Sequence, residues 1–123
     1  MANPNIISAT SILGKTLYTN NVGTSASSIV VNSASSGKVY KINSLIVANI
    51  DGTNSADITV TLRNAAGSTT YSTLANTVAV PADATLVIVS KDTSIYLQED
   101  MSLYLQASAA SDLAATLSYE EIS

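Results

Sequence analysis

Apolar side chains recur at every second position of ADITVTLRN (56–64). Ile58, Val60 and Leu62 fall on one side of an extended chain; Asp57, Thr59, Thr61 and Arg63 fall on the other. Successive side chains of a strand point in opposite directions, so this is a strand with one buried face. DLAATLSYEEI (112–122) repeats the pattern with Leu113, Ala115, Leu117 and Tyr119. VYKINSLIVANI (39–50) becomes apolar on both faces toward its end, as a central strand does. ATLVIVSK (84–91) is a short apolar run rich in β-branched residues. Helical spacing never persists over three turns, so no substantial helix is expected.

Turn chemistry separates these runs. NNVGTSAS (20–27), NSASSGK (32–38), NAAGST (64–69), PADA (81–84) and SKDTS (90–94) read as loops. IDGTNSA (50–56), with Asp51-Gly52, reads as a hairpin turn between two strong strands. Pro81 sits between runs, where no ladder bond is lost. Strands spaced in this way predict an all-β, single-domain antiparallel β-sandwich of about 8–10 strands, jelly-roll-like in character. Residues 1–13 read as an N-terminal arm or first strand that pairs with the body or with a neighbour, and 14–123 as the sandwich.

The segment SIYLQEDMSLYLQ (94–106) says nearly the same thing twice. Ser94–Gln98 returns as Ser102–Gln106, with alternating aliphatics and a tyrosine on the opposite face of each copy. Five residues are too few for an internal repeat. Two geometries satisfy the pattern. Folded about Asp100 as a hairpin, it sets Tyr96 against Tyr104, a cross-strand pair worth about 0.2–1 kcal/mol. Alternatively, Leu97-Gln98-Glu99-Asp100-Met101-Ser102-Leu103 resembles the Leu-x-x-Gly-Asp-x-Leu corner of jelly-roll domains of the tumour necrosis factor and complement type. There the chain crosses from one sheet to the other. Asp100 stands where that family has Gly, and Asp tolerates a positive φ better than most residues. Tyr96, Glu99, Asp100, Met101 and Tyr104 are the candidate interaction residues.

Composition restricts the chemistry. The 123 residues contain no His and no Cys, so the usual nucleophile–base pairs, disulfides and zinc sites are unavailable. A Ser–Lys dyad with Lys15, Lys38, Lys41 or Lys91 is the formal remainder. SSGK (35–38) lacks the spacing and helix of a phosphate loop and reads as a turn. Glu99/Asp100 and Glu120/Glu121 are sequential neighbours that diverge in extended chain, so neither pair suits glycoside hydrolysis. They read as a solvated turn and a solvated strand end. Asp51, Asn54 and Asp57 offer oxygens, but fewer than the six to eight that calcium takes. No catalytic residue, metal or other cofactor is expected, and no enzymatic activity.

Charged residues make up 11% of the chain, against roughly 25% in ordinary domains. Solubility usually rests on surface charge. Much of this surface is therefore expected to be covered by partners, the alternative being a Ser/Thr-rich monomer. The net charge is −4, with no Lys/Arg cluster to track phosphates, so nucleic acid is not an expected partner. No apolar run approaches the ~20 residues of a membrane-spanning helix, and MANPNIISATSILGK does not read as a secretory signal. The six tyrosines (Tyr18, Tyr40, Tyr71, Tyr96, Tyr104 and Tyr119) read as sheet-face packing with hydroxyls at the rim, or as anchors for protein or sugar.

MANPNIISATSILGKT, SSGKVYKINSLIVANIDGTNSADITVTL and VAVPADATLVIVSKDTSIYLQEDMSLYLQASAASDLAATLSYEEI together resemble small virion structural proteins of tailed phages, especially cyanophages. The resemblance implies a β-sandwich that decorates or cements the capsid, with a neck or tail fibre appendage as the alternative. It implies a homo-oligomer, a homotrimer foremost, contacting the major capsid protein or other virion proteins and located in the virion. It carries no site residues. A carbohydrate-binding module at a fibre tip is the further alternative; it would present a shallow groove with an exposed tyrosine and converging amides.

Overall fold

The computed structural model describes residues 4–123. The strands are β1 (Ile12–Thr19), β2 (Ser27–Asn32), β3 (Val39–Asn49), β4 (Ala56–Arg63), β5 (Thr70–Val80), β6 (Thr85–Val89), β7 (Ile95–Leu97), β8 (Met101–Ala107) and β9 (Leu113–Ile122). Two short 3-10 turns, Ile6–Ser8 and Lys91–Thr93, are the only helical elements among the described residues, and neither could cross a membrane.

The strands form two antiparallel sheets, ordered β1-β9-β3-β6 and β2-β8-β4-β5, with β7 pairing β3 beyond β6. This is the strand order of a jelly roll, in which two Greek keys leave the chain crossing repeatedly between layers. The core between them is apolar: Ile42, Leu45, Val47, Ile58, Val60, Leu97, Leu103, Leu113 and Leu117 have no exposed surface. Each large aliphatic buried in this way stabilises the fold by about 1.5–3 kcal/mol. The alternation read in 56–64 and 112–122 is the alternation that buries Ile58, Val60, Leu113 and Leu117 among them. β3 is central, between β9 and β6/β7.

The hairpin expected at 50–56 is a sheet crossing instead. β3 and β4 belong to different sheets, so 50–56 joins layers. Asn49, which ends β3 and is 3% exposed, fastens this crossing. Its amide donates to Asn54 O (2.9 Å) and, in the opposite sheet, to Val80 O (2.8 Å), while its Oδ1 accepts from Asp51 N (2.8 Å). Asn32 acts similarly where β2 crosses to β3: fully buried, it donates to Lys38 O (2.9 Å) and Leu97 O (3.0 Å) and accepts from Ser36. A buried amide is stable only when its hydrogen bonds are satisfied, and these two amides satisfy theirs by fastening chain crossings.

Of the two geometries open for 94–106, the structure selects the corner. β7 lies in the first sheet against β3, and β8 lies in the second between β2 and β4. The segment is the jelly-roll corner, not a hairpin, and Tyr96 does not face Tyr104. Asp100 takes a φ of 62° at the bend and its Oδ1 accepts from Ala65 N (3.1 Å). A bond to the β4–β5 loop, 35 residues away, thus helps a non-glycine residue hold the left-handed region.

Candidate functional site

The five candidate interaction residues are separated by this corner. Tyr96, 47% exposed, lies on the outer face of the first sheet, opposite Lys41 in register. Tyr104 lies on the outer face of the second sheet, half-buried. The Arg63 guanidinium stacks on its ring, 4.7 Å from the centroid, and donates to Thr61 Oγ1 (2.9 Å) and Gly67 O (3.2 Å). The β4–β5 loop folds down over this pair. Gly67, at φ +80°, sits so close to the Tyr104 hydroxyl that a Cβ there would collide with it. Ser102 beneath the loop donates to Asn64 O (2.7 Å). Tyr104 is thus a strapped packing element. Met101 is partly buried against the core. Both Glu99 carboxylate oxygens are out of solvent with no hydrogen-bond partner among the described residues.

The C-terminal strand end is not solvated as expected. Lys41 and Glu120 stand opposite one another on the outer face, but Glu121 points inward and is 8% exposed. Its oxygens meet Lys15 Nζ at 3.2 Å and Lys38 Nζ at 3.4 Å. Burial alone would push the Glu121 carboxyl up; the two ammonium groups outweigh it and hold the carboxyl below its ordinary value. Tyr40 and Tyr119 pack beside this triad with ring centroids 5.0 Å apart. Burial, then the Glu121 charge, raises the Tyr40 hydroxyl. Burial raises Tyr119 against the opposing pull of Lys15. Sequence reading missed the triad because Lys15, Lys38 and Glu121 lie on different segments and carry no spacing signal.

Asp51, Asn54 and Asp57 do not converge. Asp51 accepts from Thr53 N (2.9 Å) and Asn54 Nδ2 (3.3 Å), whereas Asp57 belongs to β4. Asp51 instead meets Asp112, a residue from the far end of the chain. Its own carboxyl is lowered by the Thr53 amide and the Asn54 side chain; that of Asp112 is raised by burial and by the Asp51 charge. This carboxylate pair stands at a half-exposed loop rim. Among the described residues no three acidic, His or Cys side chains gather to hold a metal ion.

The outer face of the first sheet has a different character. Strand register builds rows across it. Tyr18, Thr116, Ile46 and Val87 form one row over all four strands, with Tyr18 79% and Val87 56% exposed. Thr16, Ser118 and Ser44 form a row of hydroxyls beside it. Lys41 and Glu120 are its charged residues, facing one another. The β1 edge of this sheet pairs through eight residues without a register shift, while β2, β5 and β6 each carry a bulge or irregularity. Bulges blunt a sheet edge against further pairing; a long regular edge invites it.

No family model and no curated protein matches the chain. One solved structure, described as Bacillus endospore appendages that form a novel family of disulfide-linked pili, is similar over 100% of this chain and 94% of its own. The identity is 14% and the TM-score 0.56, so the likeness is one of fold.

Proposed function

We propose that the chain is a non-enzymatic structural subunit that associates with copies of itself into a surface assembly, a neck or tail appendage of a tailed-phage virion. The observation that carries this reading is the nearly uncharged outer face of the first sheet, with its Tyr18–Thr116–Ile46–Val87 row, continuing into the unbulged β1 edge. Apolar side chains gain by leaving water and hydroxyls can pair across a contact, so a face with few charges can pack against another β-layer. Closed symmetry uses one such contact many times, so a modest interface suffices.

The pilus-like neighbour supports an assembling appendage over capsid decoration, which rests on resemblance of sequence phrasing. With no cysteine, copies of this chain would join through non-covalent contacts. Light scattering after size exclusion tests the proposal. The expected species is a trimer or larger multiple of the 12.6 kDa chain. Tyr18→Lys combined with Val87→Lys should return it to monomer with an unchanged circular-dichroism spectrum. A wild-type chain that stays monomeric at high concentration would overturn it.

A further inference from the structure

We propose a binding site for a neutral sugar in the groove on the outer face of the second sheet, separate from the face assigned to assembly. The groove encloses about 250 Å³ and is lined by Asp57, Thr59, Asn76, Thr77, Gln106 and Ser108, with Ala107. Its shape comes from a bulge. Ile58 pairs with Val78 and Val60 with Ala75, so Thr59 alone opposes Asn76 and Thr77. The extra residue lifts β5 out of the ladder and re-aims its side chains, as bulges do near binding sites. Thr77 is held at φ 46°, an unfavourable conformation for a β-branched residue, and its freed N–H donates to Thr59 Oγ1 (3.0 Å). On the other side β8 places Gln106 opposite Thr59, so three strands form the floor and walls.

The side chains select the ligand. Among the described residues, no hydrogen bond or ion pair engages the Asp57 carboxylate or the Asn76 carboxamide. Gln106 spends its amide on Thr24 O (2.9 Å), which leaves its Oε1 as a fixed acceptor. A carboxylate that accepts two O–H groups beside a carboxamide that both donates and accepts matches adjacent hydroxyls of a sugar ring. No Lys or Arg lines the groove, and its carboxylate repels anions, so phosphorylated or sulfated ligands are disfavoured. A single carboxylate falls short of a cation site. The volume lies just below the ~300–1,000 Å³ of sites for drug-sized molecules, which suits one ring. Tyr104 precedes Gln106 by two residues on the same face but is covered by Arg63 and the strap, so hydroxyls rather than stacking hold the ligand.

Amide-resolved NMR titration of the full chain with neutral hexoses and N-acetylhexosamines tests the site. At least one sugar should move the resonances of Asp57, Asn76 and Gln106, and Asn76→Ala or Asp57→Ala should weaken it at least tenfold while leaving the rest of the spectrum in place. Tyr96→Ala, on the opposite sheet, should leave binding unchanged. Four outcomes would each overturn the site: no response to any neutral sugar in large excess, equal binding by both groove variants, stronger binding of sulfated sugars, or the same resonances moving with calcium alone. An oligomer that ignores sugars removes only this site; a monomer that binds them removes only the assembly reading.

Discussion

Replacing Glu121 by glutamine removes one charge from the Lys15–Glu121–Lys38 triad and leaves the side-chain volume nearly unchanged. The carboxylate is almost fully buried, while the lysine side chains are 43% and 39% exposed. Hydrogen bonds to charged groups are worth about 1.5–3 kcal/mol when shielded and exposed ion pairs about 0–1 kcal/mol. Each contact here falls between, near ~1 kcal/mol, and glutamine still accepts from one lysine. The expected loss is about 1–2 kcal/mol, or roughly 3–8 °C in melting temperature for a domain of this size. The sign of the pH dependence follows from the lowered Glu121 carboxyl. Its contribution is fully present above the ordinary glutamate value of 4.5 and is lost as pH falls through the depressed folded value. Urea unfolding of wild type and Glu121→Gln at pH 6 and pH 3 reads both effects. The gap should be about 1–2 kcal/mol at pH 6 and should narrow at pH 3. Coincident curves at pH 6, or a gap as large at pH 3, would refute the triad as a stabilising element.

Asn49→Ala should lower stability by about 2–4 kcal/mol in the same unfolding assay, because it strands the buried Val80 carbonyl and releases the β3–β4 crossing. Gly67→Ala should cost at least ~1–2 kcal/mol from the left-handed backbone alone, and should displace Tyr104, visible as a change in tyrosine fluorescence. At the corner, Asp100→Gly exchanges about 1 kcal/mol of relieved strain for one lost hydrogen bond and should melt near wild type; Asp100→Val loses both and should be less stable by about 2–3 kcal/mol. NMR titration of the carboxyl groups should place Asp112 above and Asp51 below the ordinary aspartate value, and Asp51→Asn should bring Asp112 down.

Strand faces were legible in the sequence because they are local. The alternation of Ile58, Val60 and Leu62, or of Leu113, Leu117 and Tyr119, depends only on successive side chains of one strand pointing opposite ways. So were the all-β class and the loops at 64–69 and 90–94, where Asn, Gly, Ser and Thr in the first and Ser, Lys, Asp and Thr in the second interrupt apolar runs. β5 carried a weaker signal. Its 11 residues are almost all exposed, so burial imposed no alternation on them.

Which strand pairs with which was decided by tertiary structure. Asp51-Gly52 serves a hairpin or a sheet crossing equally well; the strands that flank β3 and β4 in their separate sheets select the crossing, and the bond from Asn49 to Val80, 31 residues away, fastens it. The corner at Asp100 was visible as one of two geometries; the sheets that receive β7 and β8 selected between them. The Glu121 triad, the Asp51–Asp112 pair and the sugar groove lie further beyond local pattern. Each gathers residues from separate segments whose only common property is where the two Greek keys bring them. A period-two code states which way a side chain points, and long-range packing states what it meets there.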